Sequence, residues 1–183
     1  MIKFKTLIYS SLIMALTLAP ADSYAGDSYW GIGFGKSSFN IKPLYGSNEV
    51  DDSGAFKVVI GSRFGNLGYE MDFSFASYDW KGLSSATHNA SNVVFAGLGY
   101  LPISDSFDIY GKLGLNLWGT TVDYSGTLYD GDNGVGVAYG AGMDIQVTDK
   151  MTIRAEYQAM NGIGDGIDEG DISNVTVSLL FDF

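Results

Sequence analysis

Eight stretches of this chain alternate apolar residues with polar or small ones at period two, and the connections between them are by turns short and long. Period two is the repeat of a β-strand, whose successive side chains leave opposite faces. The last of the eight, NVTVSLLFDF, puts Val175, Val177, Leu179, Phe181 and Phe183 on one parity and Asn174, Thr176, Ser178, Leu180 and Asp182 on the other. An apolar strand at a chain end invites edge-to-edge association unless its edges are paired and its apolar face is covered. That requirement limits what the chain can fold into more than any other feature.

The alternation predicts strands over residues 28–39, 55–64, 67–80, 91–101, 106–120, 135–147, 151–163 and 172–183. Gly65-Asn66, Ser104-Asp105 and Thr148-Asp149-Lys150 are tight turns. Longer polar segments lie between them, over residues 40–54, 81–90, 121–134 and 164–171. Short turns at one end and long connections at the other describe a bacterial outer-membrane barrel. The expected fold is all-β: an eight-stranded antiparallel up-and-down transmembrane β-barrel, with both termini on the short-turn, periplasmic side. Pairing of the last strand with the first (YWGIGFG) would leave no edge, and lipid would cover the apolar face.

A soluble barrel also alternates, with its apolar face inside, so the decision rests on the other face. The sixth strand sets Val135, Val137, Tyr139, Ala141, Met143, Ile145 and Val147 against Gly136, Ala138, Gly140, Gly142, Asp144 and Gln146. Glycine and alanine make a poor solvent exterior but suit the crowded interior of a narrow barrel. The third strand sets Tyr69, Met71, Phe73 and Phe75 against Glu70, Asp72, Ser74 and Ala76. The seventh sets Met151, Ile153, Ala155, Tyr157 and Ala159 against Thr152, Arg154, Glu156 and Gln158. The fifth sends Ile109, Leu113, Leu115 and Leu117 outward and Tyr110, Lys112, Asn116 and Trp118 inward.

The N-terminus reads as a targeting segment. Lys3 and Lys5 precede an apolar core over residues 7–19, followed by Pro20 and the small-residue site Ser23-Tyr24-Ala25. Such a core is too short for a membrane-spanning helix, which needs about 20 residues. Residues 1–25 are expected to be a signal peptide and 26–183 the barrel domain. The formal charge is −11 for the whole chain. Loss of Lys3, Lys5 and Asp22 makes it −12, which argues against a nucleic-acid partner, since that needs a basic footprint. Cysteine is absent, so neither disulfides nor thiolate chemistry are available. Charged residues make up 17% of the chain, against about 25% in ordinary soluble domains.

GYEMDFSF (68–75), LGYLPISDSFDIYGKLG (98–114) and IRAEYQAMNGIGD (153–165) resemble the transmembrane domain of OmpA-type outer-membrane proteins. The resemblance runs in register from the third strand to the seventh. It implies an eight-stranded barrel in the outer membrane of a Gram-negative bacterium, with periplasmic turns and surface loops. It also implies that the terminal Phe183, with Phe181 and Leu179, forms a signal read by the barrel-insertion machinery. Full-length members of that family carry a further domain that grips peptidoglycan. This sequence stops at the eighth strand, so a peptidoglycan tether is not supported.

Among candidate sites, Glu70, Asp144 and Arg154 share the inward parity nearer the periplasmic strand ends. The resemblance implies a switchable luminal salt-bridge gate of two acidic and two basic residues. Glu70 and Arg154 match it, Asp144 replaces a glutamate, Gly97 stands where the family has lysine, and Lys112 matches another interior basic position. Apart from the resemblance, buried ions must be paired. Lys57, Arg63, Lys112 and Arg154 can neutralise Glu70, Asp72, Asp108, Asp144 and Glu156.

Acidic residues mark the long connections: Glu49, Asp51 and Asp52; Asp123, Asp130 and Asp132; Asp165, Asp168, Glu169 and Asp171. Residues 130–134 (DGDNG) look like the start of a calcium loop, but no glutamate follows at EF-hand spacing. No metal site is expected, though these loops could share the divalent cations that bridge lipopolysaccharide phosphates. The single histidine, His88, lies near Ser84, Ser85 and Ser91 with no group to orient it as a base. No enzyme and no cofactor are expected. Tyr29, Trp30, Tyr69 and Tyr100 lie where a periplasmic aromatic belt would sit. The expected role is structural: a monomeric barrel, plugged by a polar side-chain network, surrounded by outer-membrane lipid and lipopolysaccharide and displaying surface loops. A narrow gated pore and adhesin-like binding through the loops are the alternatives.

Overall fold

The computed structural model describes residues 27–41, 51–79, 86–124, 127–163 and 170–183. Eight strands run in chain order: β1 Asp27–Ile41, β2 Ser53–Phe64, β3 Leu67–Asp79, β4 Ala86–Ser104, β5 Phe107–Tyr124, β6 Thr127–Thr148, β7 Met151–Ile163 and β8 Gly170–Asp182. Each pairs antiparallel with the next, and β1 pairs with β8 from Tyr29↔Asp182 to Ile41↔Gly170, closing the barrel. The exposed edge that the terminal strand threatened is gone. The backbone N–H of Phe183 donates to the carbonyl of Ser28 at 3.0 Å, so pairing runs to the last residue.

The short turns fall where the alternation breaks. Gly65 sits at φ 61°, a left-handed conformation that glycine adopts at no steric cost, and it closes the β2–β3 turn with Asn66. The β4–β5 turn is Asp105-Ser106, one residue later than expected, because the ladder extends to Ser104↔Phe107. At the other end the strands outrun the sequence reading. β4, β5 and β6 are 19, 18 and 22 residues long, whereas about 9–11 tilted residues cross a bilayer. Segments expected as loops, including 121–124 and 127–134, pair across the β5–β6 hairpin as far as Tyr124↔Thr127. Backbone pairing there needs no apolar face, so side-chain alternation did not reveal it.

Side-chain parity divides the wall as the sequence demanded. Trp30, Phe34, Leu113, Leu115, Val135, Val175, Val177, Leu179 and Phe183 are exposed on the outside. Lys57, Glu70, Asp72, Lys112, Asn116, Arg154, Glu156 and Gln158 are buried inside. A fold with its ions inside and its aliphatic side chains outside is stable only where the surroundings are apolar.

Two expectations about position are corrected. Tyr29 and Tyr100, expected in an outer belt, are buried in the lumen, whereas Trp30 and Tyr69 are on the outer wall. Gly97 is not at an interior position. In β4 the inward row is Asn92, Val94, Ala96, Leu98 and Tyr100, and Gly97 lies on the outward parity with open space where a Cβ would stand. Tyr29 adjoins the outward Trp30, and Gly97 lies between the inward Ala96 and Leu98; a one-residue shift reverses the face.

Candidate functional site in the barrel lumen

The inward rows of β1 to β7 converge on one network near the short-turn end. Arg154 of β7 donates from Nε and Nη2 to both oxygens of Asp144 on β6, each at 2.7 Å, a bidentate fork between directly paired residues. Its Nη1 ion-pairs with Glu70 on β3. Lys112 of β5 lies 2.5 Å from Glu70 Oε1, 2.5 Å from Asp72 Oδ2 and 3.4 Å from Glu156 Oε2. Lys57 of β2 pairs with Glu156 and lies 3.4 Å from Asp72. All but Asp144 are essentially sealed from solvent, and Asp144 keeps only a margin at the mouth.

Neutral groups complete the network. Tyr29 donates to Glu70 Oε2 at 2.8 Å, Tyr110 to Glu156 Oε2 at 2.6 Å, and the Gln158 amide to Asp72 Oδ2 at 3.0 Å. The Arg154 guanidinium lies 4.6 Å from the Tyr110 ring centroid and 5.3 Å from that of Tyr29. Both tyrosines lie over cross-strand glycines, Tyr29 over Gly61 and Tyr110 over Gly142. A methyl at Gly142 would come 2.5 Å from the Tyr110 hydroxyl and 2.6 Å from the Ala155 carbonyl oxygen. Glycine is therefore what gives the ring its place.

Burying ions costs several kcal/mol each, so only mutual pairing makes this layer tolerable. Towards the short-turn mouth, Arg63 forks onto Asp108 at 2.6 and 3.2 Å and lies 4.2 Å from the Tyr100 ring centroid. A cavity of about 150 Å³ opens there, lined by Asp27, Arg63, Asp108 and Asp182, and its inner wall includes Tyr29 and Arg154.

The other half of the lumen is apolar. Phe39, Tyr78, Val94, Trp118, Ala138, Met160, Ile163 and Ile172 form one buried cluster. The Phe39 ring centroid lies 5.5 Å from that of Tyr78 and 5.3 Å from that of His88. The Tyr78 hydroxyl is 2.5 Å from Ser37 Oγ, which donates in turn to Asn174 Oδ1 at 2.5 Å. Met160 and Ile163 both turn inward because the β7–β8 ladder slips between them, next to Gly162 at φ 73°.

The structure thus brings Glu70, Asp144, Arg154 and Lys112 into one cluster. It joins to them Lys57, Asp72 and Glu156, which the charge balance had counted among the inward ions. Sequence reading missed Tyr29, Tyr100 and the apolar half. Strict parity counting along β1, where Trp30, Ile32 and Phe34 face outward, would have found Tyr29, which shares the inward row with Gly31 and Gly33. His88 is in β4, not in a loop, and faces the lumen. Ser91 has the opposite parity and donates to the Gly119 carbonyl at 3.2 Å, so the two cannot meet as base and nucleophile. Ser84 and Ser85 lie outside the described residues, as do residues 1–25.

Of the acidic loop residues, Asp52 pairs with Lys36. Glu49, Asp165, Asp168, Glu169 and the Asp130 side chain lie outside the described residues. Among the described residues no three His, Asp or Glu side chains stand close enough to hold a metal ion. On the outer wall Phe181 stacks on Trp30 across the β1–β8 seam, centroids 5.0 Å apart.

Comparison with known proteins agrees with this architecture. The profile of the outer membrane protein β-barrel domain matches residues 9–183. Outer membrane protein A of Klebsiella aerogenes is 30% identical over 178 residues, covering 88% of this chain and 49% of the relative. That of Klebsiella pneumoniae is 31% identical over 173 residues, covering 84% and 48%. The chain spans about half the length of these curated relatives. Among solved structures, Neisserial surface protein A superposes with a TM-score of 0.70 at 13% identity, covering 85% of this chain and 97% of that one. The attachment invasion locus protein Ail of Yersinia pestis does so with a TM-score of 0.60 at 16% identity, covering 87% and 100%.

Proposed function

The chain belongs to the outer membrane protein β-barrel domain family, and from that premise we propose that it serves the Gram-negative envelope as a monomeric, plugged, membrane-integral barrel. Its place is the outer membrane, its strands crossing the bilayer and its short turns facing the periplasm. The observation that carries the reading is the filling of the lumen in two layers, ions below and apolar side chains above. An eight-stranded barrel is just wide enough for side chains to fill. The role is then mechanical and organisational, with outer-membrane lipid and lipopolysaccharide around the wall and long connections outside the cell.

The relatives are outer-membrane barrel proteins, in keeping with a non-enzymatic role. The outward row ending in Leu179, Phe181 and Phe183 supplies the terminal aromatic signal for the insertion machinery. Phe181 is held against Trp30, while Phe183 remains exposed.

One observation favours the second reading, a narrow gated pore. Lys112 stands within ion-pair distance of Glu70, Asp72 and Glu156, so a change of partners needs little movement. Opening would still have to displace Trp118, Met160 and Ile172, which weighs for the plug. Planar-bilayer recording of the refolded barrel, with folding checked by faster migration of unboiled protein on a gel, separates the two. The plug predicts a silent bilayer for both wild type and Arg154→Ala. Reproducible conductance steps that change in the variant would establish the gate instead.

A further inference from the structure

At the boundary between the two luminal layers, four buried oxygens have no hydrogen-bond partner: Asp72 Oδ1, Ser74 Oγ, Asn116 Oδ1 and Gln158 Oε1. Each belongs to a residue no more than 2% exposed. Strand register and hydrogen bonds link their four residues. Asp72 and Ser74 are successive inward residues of β3, and Asp72 and Asn116 flank Val94 on the same rung, each paired with it. Asn116 donates its amide to Asn92, which is paired with Ser74, at 2.9 Å, and Gln158 donates its amide to Asp72. These donations engage both amide nitrogens and leave both carbonyl oxygens without a partner. Asp72 spends its other oxygen on Lys112 and Gln158, with Lys57 3.4 Å away.

The charge of the layer does not close. Glu70, Asp72, Asp144 and Glu156 face Lys57, Lys112 and Arg154, which is four negative charges against three positive. Arg63 is satisfied by Asp108 and lends nothing. Among the described residues one negative charge is left over in the layer to which Asp72 belongs. A buried acceptor without a partner costs about 1–3 kcal/mol, and a buried uncompensated ion costs several. Water would satisfy the acceptors and leave the charge. A divalent ion would overshoot it by one.

We infer that Asp72, Ser74, Asn116 and Gln158 form a buried binding site for a single monovalent cation at the junction of the ionic and apolar layers. All the donors are oxygens, with no histidine nitrogen or thiolate, which is the ligand set of a hard alkali ion. The site neutralises the layer and satisfies its open acceptors at once. It does not depend on whether the barrel conducts.

The test is urea unfolding of the full protein in detergent micelles, in sodium, potassium or choline chloride at one ionic strength. A cation that binds only the folded form raises the folded-to-unfolded ratio about elevenfold at ten times its dissociation constant. The midpoint is therefore expected to be higher in sodium or potassium than in choline. Rubidium- or thallium-soaked crystals are expected to give an anomalous peak among the four oxygens. Asp72→Asn removes the charge and is expected to abolish both signals, but it also disturbs Lys112. Asn116→Leu leaves every ion pair intact but takes the amide from Asn92, so its choline midpoint is expected to fall, and its midpoints in sodium, potassium and choline are expected to coincide. Equal midpoints in choline and the alkali salts, or crystals with only water between the oxygens and no anomalous peak, would overturn the site.

Discussion

The two halves of the lumen occupy the same inward rows of the same strands and reach stability by opposite means. In the ionic half every side chain depends on partners from other strands. Glu70 of β3 is met by Tyr29 of β1, Lys112 of β5 and Arg154 of β7. In the apolar half, Phe39, Met160, Ile163 and Ile172 require only that their volumes fit. Loss of one member of the first strands a charge, whereas loss of one member of the second leaves a hole. Interdependence makes the ionic layer specific, and shape makes the apolar layer a seal.

Lys112→Met attacks the difference most directly. It leaves Glu70, Asp72 and Glu156 short of a cation, with an expected loss of about 3–5 kcal/mol in urea unfolding followed by gel mobility. A loss below about 1 kcal/mol would mean that the ionic layer is not interdependent. Met160→Ala probes the apolar layer, which contracts only partly around the missing atoms. About 2–4 kcal/mol is expected from the same measurement, and a cost equal to that of Lys112→Met would erase the contrast.

Gly142→Ala tests the join between the layers' packing and the ion network. The new methyl meets the Tyr110 hydroxyl and the Ala155 carbonyl, and overpacking is expected to cost about 1–3 kcal/mol. The intrinsic fluorescence of the folded form should change as Tyr110 leaves Glu156. Arg63→Ala has the smallest expected effect. Its pair with Asp108 is partly open to solvent at the mouth, so a change within about 1 kcal/mol is expected, shrinking further at high salt.

Most of the architecture could be read from residue order because strand parity is local. The outward rows ending in Phe183, the tight turn at Gly65 and the inward Glu70, Lys112 and Arg154 all follow from counting by twos. Counting failed where pairing itself shifts. Ile163 turns inward only because the β7–β8 ladder slips after Met160, and the β5–β6 hairpin extends through residues with no apolar rhythm. It failed too at Gly97, where a match to a family position outweighed the parity of its own strand.

By itself, the amino-acid order determined a barrel: eight amphipathic strands, an apolar outer face that only lipid can cover, and a set of ions that had to point inward. Tertiary structure decided which ion meets which. Lys57 and Glu156 are 99 residues apart, and Arg154 and Glu70 are 84 apart. Their meeting depends on how closure staggers the strands and brings β2 opposite β7 across the lumen. Alternation fixes the face on which a side chain stands, because that is a property of one strand. Its height and its opposite number come from the register of all eight, which is set only when β1 and β8 join.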